Sequence, residues 1–103
     1  MTVLAFVPDL MDRSKVAAAV PGAVVVRRAA DLLDGAGPAT TAIVDLSRPG
    51  VAEVLPALVA AGARVVAFGS HVDGATLDAA RAAGCAVVLA RSAFFSRIAE
   101  VVG

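Results

Sequence analysis

Thr41-Ala42-Ile43-Val44-Asp45-Leu46-Ser47-Arg48-Pro49-Gly50-Val51-Ala52-Glu53-Val54-Leu55-Pro56-Ala57-Leu58-Val59 reads as one strand, one turn and one helix. Its opening is a short apolar run that ends on a carboxylate, as a strand buried on both faces does where it leaves the sheet. Ser47 to Gly50 carry turn chemistry. From Val51 the period changes: Val51, Val54, Leu55, Leu58 and Val59 fall at i, i+3, i+4, i+7 and i+8, the buried face of a helix. Pro56 inside that pattern is expected to kink the helix or delay its start.

The same unit recurs on both sides. Val-rich strands are expected at residues 3–7, 22–27, 64–68 and 86–90, in addition to 41–45. Helices are expected at about 12–20, ending at Pro21, and at about 29–33, followed by the loop Gly35-Ala36-Gly37-Pro38. A further helix opens at Asp73 as N-cap, turns Leu77, Ala80 and Ala83 inward and stops at Gly84. The last opens at Ser92 and buries some of Phe94, Phe95, Ile98, Val101 and Val102. Phe94 and Phe95 lie about 100° apart on a helix, so one ring enters the core and the other stays nearer the surface. Five strand-helix units imply one α/β domain over 1–103: a doubly wound three-layer sandwich with a five-stranded parallel sheet and helices on both faces. Chemistry in such folds collects outside the carboxyl ends of the strands.

Composition narrows the function. The 103 residues carry formal charge zero and are 59% hydrophobic with only 4% aromatic residues; Ala supplies 25 and Val 18. Mean hydropathy is +0.86. No apolar run approaches the ~18 to 20 residues of a spanning helix, because residues 16–26 are broken by Pro21-Gly22 and stopped by Arg27-Arg28. The amino terminus has no basic region or cleavage site, and Cys85 has no second cysteine to pair with, so a cytoplasmic location is expected. Without a Lys/Arg run, Tyr or Trp, the chain lacks the basic stripe and stacking rings of a nucleic-acid surface. It has no Asn or Gln and eight Arg against one Lys, a pattern shared by thermostable proteins, GC-rich genomes and reconstructed or designed sequences.

The polar residues gather at strand ends: Asp9 and Asp12, Arg27 and Arg28, Asp45 to Gly50, Ser70, His71 and Asp73, Arg91 and Ser92. A chain leaving a buried strand becomes polar in any case, and Asp73 and Ser92 are also explained as helix caps. Asp45, with Pro49 and Gly50 four and five residues on, resembles the phosphoacceptor turn of the receiver domains of bacterial two-component response regulators. Val65-Val66-Ala67-Phe68-Gly69-Ser70-His71-Val72-Asp73 is similar to that family's fourth strand and loop. Ala82-Ala83-Gly84-Cys85-Ala86-Val87-Val88-Leu89-Ala90-Arg91-Ser92-Ala93-Phe94 is similar to its fifth strand and basic position. The resemblance spans essentially the whole chain and implies the flavodoxin-like strand order 2-1-3-4-5.

The departures from that family bear on the chemistry. Its adjacent metal-binding acids fall on Phe6-Val7-Pro8-Asp9, leaving Asp9 as the one acid; its switch hydroxyl falls on Gly69, with Ser70 one place late; its lysine falls on Arg91. Without the ion, charge developing in phosphoryl transfer is poorly compensated. The resemblance therefore implies a stand-alone pseudo-receiver with no enzymatic activity and no cofactor, acting through protein contacts. Asp45 is its vestigial acceptor and Arg91 the charge partner expected to pair with it.

Ser70, His71 and Ser92 are the remaining binding candidates at this edge. One His and one Cys without paired spacing make no metal site, and Cys85 reads as a small hydrophobe at the turn into the last strand. There is no GxSxG nucleophile turn, and Pro8-Asp9-Leu10-Met11 occupies the place a dinucleotide loop would need. A protein partner or a homodimer is expected through the last helix. Two alternatives stay open: a flavodoxin-like domain binding a small ligand or anion, and a reconstructed or designed scaffold without evolved function.

Overall fold

The computed structural model describes residues 2–103. Five parallel strands, β1 (Thr2–Phe6), β2 (Val24–Val25), β3 (Thr40–Asp45), β4 (Arg64–Gly69) and β5 (Val87–Ala90), form one sheet in the order β2-β1-β3-β4-β5. This is the flavodoxin-like arrangement expected from the sequence. The helices are α1 (Leu10–Ala19), α2 (Val51–Ala60), α3 (Gly74–Ala82), α4 (Arg91–Ser96) and α5 (Ile98–Val102), with a 3₁₀ helix at Ala29–Gly35 between β2 and β3. No helix among the described residues is long and apolar enough to cross a membrane.

Side chains alternate across a strand, and the two faces feed two cores. Leu4, Phe6, Ala42, Val44, Val65 and Ala67 point to the layer of the 3₁₀ helix, α2 and α3, where Leu32, Val54, Leu58 and Leu77 meet them. Val3, Ala5, Ile43, Val66 and Phe68 point to the opposite layer, against Val16 of α1, Phe94 of α4, and Ile98 and Val102 of α5. Central β3 is buried at all six positions, which is why its sequence reads as a continuous apolar run rather than an alternating one.

Four expectations need correction. The second strand, expected over 22–27, is reduced to Val24–Val25. It pairs only with β1 (Leu4↔Val24, Ala5↔Val25), and both valines stay exposed at the sheet edge. The helix expected over 29–33 is a 3₁₀ segment, opened by the Arg28 N–H donating to Asp31 Oδ2 at 3.2 Å. Pro56 does not delay the start of α2, which runs from Val51 through Ala60. The bond it cannot donate would go to the carbonyl of Ala52, and both residues lie on the exposed face of the helix, where the lost bond costs least. The last helix breaks at Arg97, whose φ of −151° is extended backbone, into α4 and α5.

Two glycines earn their conformation. Gly50, φ +87°, lets the chain reverse from the β3 turn straight into α2, and Gly84, φ +100°, ends the α3 unit where a Cβ would press on Val59 Cγ1 at 3.0 Å. Asp73 caps α3 as expected, its Oδ1 accepting from the Thr76 N–H at 3.2 Å. Asp73→Ala is expected to cost about 1 kcal/mol of stability, read as a shifted midpoint in urea with unchanged slope.

Candidate functional site

Five loops leave the sheet at the carboxyl ends of the strands, and Asp9, Asp12, Asp45, Ser47, Arg48, Ser70 and Arg91 lie on or beside them. Asp45, the last residue of β3, is only 1% exposed. Its carboxylate turns back onto its own loop. Oδ1 accepts from the Ser47 N–H at 2.9 Å and from the Ser47 hydroxyl at 2.7 Å, and Arg48 Nε lies 3.7 Å from Oδ2. This is an Asx turn with a charge-assisted second bond. The Leu46 N–H meanwhile donates to the Phe68 carbonyl at 2.8 Å, which ties the loop to the end of β4. Asp45 thus has its hydrogen bonds on Oδ1 and its nearest cation, Arg48, within its own loop.

Arg91 does not pair with Asp45, contrary to expectation. Its Nη2 reaches both carboxylate oxygens of Asp12, each at 2.8 Å. The Asp12 side chain is 5% exposed while that of Arg91 is 42% exposed, so the buried member is the anion. The guanidinium also lies 5.5 Å from the Phe68 ring centroid and 5.2 Å from that of Phe95, so two aromatic faces hold its plane. The reason for the swap lies in helix phase. Asp12 sits on the first turn of α1, which packs on the same side of the sheet as α4 and Phe68, whereas the Asp45 carboxylate is drawn to Ser47 and Arg48.

Asp9, the one acid left from the expected metal-binding pair, caps α1. Its Oδ1 accepts from the Asp12 N–H at 3.0 Å. That backbone hydrogen bond, the largest influence on it, holds the carboxyl below its usual value, with smaller help from the positive charges of Arg48 and Arg91. The sign is that of a depressed acid: the capping contribution is present above the ordinary Asp range and is lost as pH falls through the folded-state value.

Ser70 is half-buried, and its hydroxyl accepts from the Val72 N–H at 3.3 Å in a local turn; His71 beside it is exposed. Ser92 is exposed and does not open the last helix, since α4 begins at Arg91 with Ala90 at the cap position. Ser70, His71 and Ser92 thus lie on the same edge but do not converge on Asp45. Cys85 is half-buried against the α2/α3 core, and burial pushes its thiol up, as expected for a small hydrophobe.

The donor set does not fit a divalent cation. Asp9 is committed to capping, Asp12 to Arg91 and Asp45 to Ser47, and among the described residues no three His, Cys, Asp or Glu side chains gather as ligands. Every buried side-chain polar atom among the described residues has a partner. The cavity between the β3 and β4 loops, lined by Ser47, Ser70, Asp73 and Thr76, measures about 30 Å³, the volume of roughly one water.

Asp12 is the residue whose role the sequence left open. Its signal was faint: an acid three residues after an N-cap Asp, on the first turn of a helix whose partner lies 79 positions away. Ser47 and Arg48 were more legible, because Asp-x-Ser after a strand is an Asx-turn pattern. Comparison of the chain with protein-family models and with curated protein sequences finds no match in either.

Proposed function

We propose that this chain is a receiver-like signalling module of the cytoplasm that acts through protein contacts and does not carry out magnesium-dependent phosphorylation at Asp45. One observation carries the reading: the acceptor-position carboxylate is 1% exposed and closed over by Ser47 and Arg48 of its own loop, while the basic residue that would report on it is bonded to Asp12. In-line attack on a phosphoryl donor needs an accessible carboxylate oxygen and a cation to offset the charge that develops. Here the oxygens are turned inward and the acids near them have other partners. The cavity between the β3 and β4 loops also falls far short of the ~300 Å³ from which small-molecule pockets start, which weighs against a ligand in that cavity.

The test is direct. Incubated with acetyl phosphate and magnesium, the protein is expected to show no gain of one phosphoryl mass in intact-protein mass spectrometry. The variants Ser47→Ala and Arg48→Ala, which loosen the cover over Asp45, are expected to stay unlabelled as well. Stoichiometric labelling of Asp45 in the unaltered chain would sink the reading.

A further inference from the structure

β2 is one edge of the sheet and β5 the other, and the backbone of β2 has a definite phase. The Val26 N–H donates to the Ala5 carbonyl at 2.9 Å. With Leu4 opposite Val24 and Ala5 opposite Val25, the parallel ladder turns the N–H and C=O of Val24 inward to β1. The N–H and C=O of Val25 therefore point away from the sheet and stay unpaired within it. Side chains leave this edge open on both faces, since Val24 is 51% exposed and Val25, on the opposite face, 37%. On β5, by contrast, Val87, Leu89 and Ala90 are half-buried and Val88 is buried. Ala23 packs with the α1 core and Val26 with the α2 core, so the odd-numbered residues of this edge face α1.

We propose that β2 is the interface of a homodimer, in which β2 of a second copy pairs with it antiparallel about a two-fold axis at Val25 and joins the two sheets into one. Each copy leaves one N–H and one C=O free on the same residue, the set that two identical residues facing each other in an antiparallel ladder exchange. The register complements itself along its length. Val25 meets Val25 of the second copy, Val24 meets its Val26, and Ala23 meets its Arg27, so no like charges stand opposite. Arg27 supplies the charge complement. It is exposed, joins no ion pair among the described residues, and lies by alternation on the α1 side. Opposite Ala23 of the second copy, it comes beside the carbonyl end of that copy's α1, whose last turn holds no basic residue of its own. The two-fold axis makes that contact twice. Residues 23–26 also carry no charge or proline that would refuse a neighbouring strand. The proposal goes beyond the signalling reading and holds whether or not Asp45 is ever phosphorylated.

Sedimentation velocity on the full chain, from roughly 5 µM to roughly 1 mM, is expected to show a reversible monomer–dimer equilibrium. Over the same range the Val25 amide is expected to gain protection from hydrogen exchange, while the Val26 amide, already bonded to Ala5, keeps the protection it has. Val25→Pro deletes only the outward donor, so it is expected to abolish the dimer with little change in the urea midpoint. Val25→Lys sets two ammonium groups at the axis and is expected to do the same from a position that is already exposed. Arg27→Glu places an acid beside the carbonyl end of α1 in both copies and is expected to raise the dimer dissociation constant roughly tenfold, whereas Arg27→Lys keeps most of the affinity. A chain that stays monomeric throughout overturns the proposal and leaves the edge to a strand of a different protein. A dimer in which Val25 exchange is independent of concentration, or one that V25P and V25K leave intact, overturns it as well.

Discussion

Arg91→Ala is expected to destabilise the fold by about 3 kcal/mol, and Asp12→Ala by only about 1 kcal/mol, although both delete the same ion pair. The asymmetry follows from which partner is left behind. Without Arg91, the carboxylate of Asp12 remains 5% exposed, with no cation to offset its burial. Without Asp12, the guanidinium is still 42% exposed and still lies over Phe68 and Phe95, so it recovers solvent and keeps its stacking. Arg91→Lys is expected to fall between the two, because an ammonium keeps the charge but loses the planar contact with two rings. Urea denaturation of the three single variants and of D12A/R91A completes a double-mutant cycle, in which the double variant should lose less than R91A alone. Equal losses for R91A and D12A would remove the argument that the pair tethers α1 to the exit of β5.

That tether also explains how far the candidate site was legible. The strands and the face of α2 were readable because each is fixed by local period, in the apolar run Ala42 to Val44 and in the Val51 to Val59 spacing, whereas the strand order came only from the resemblance to receiver domains, since right-handed crossovers allow more than one order. Asp73 and Gly84 were readable because caps are local chemistry. The partner of Arg91 was not, since two acids, Asp12 and Asp45, both lie near the same sheet edge and only the helix phase of α1 and the turn after β3 decide between them. The break at Arg97 carries no Gly or Pro to announce it. It arises where Phe94, Ile98 and Val102 are all buried, a spacing that an unbroken helix would satisfy equally well. The edge strand β2 came out shorter than its Val-rich sequence because a strand with one neighbour and exposed side chains gains little from extending.

Phe94→Ala carries the largest expected loss, about 4 kcal/mol, against the roughly 5 to 15 kcal/mol that hold a small domain together. Its side chain is fully buried, its ring stacked on Phe68 at 4.7 Å and 12° between planes, with Phe95 edge-on at 5.0 Å. The three rings form the floor on which α4 and Arg91 rest. A helix of six residues followed by one of five has no stability of its own, so both depend on burying Phe94, Ile98 and Val102. Emptying the Phe94 site is therefore expected to release α4 and α5 before the sheet, seen as loss of amide exchange protection over residues 91–102 at denaturant concentrations where β3 and β4 remain protected. Phe95→Ala, at a half-buried ring on the groove side, is expected to cost about 1 to 2 kcal/mol with no such selective release. Similar losses and similar exchange patterns for the two variants would contradict the assignment of Phe94, rather than the whole aromatic cluster, as the anchor of the last two helices.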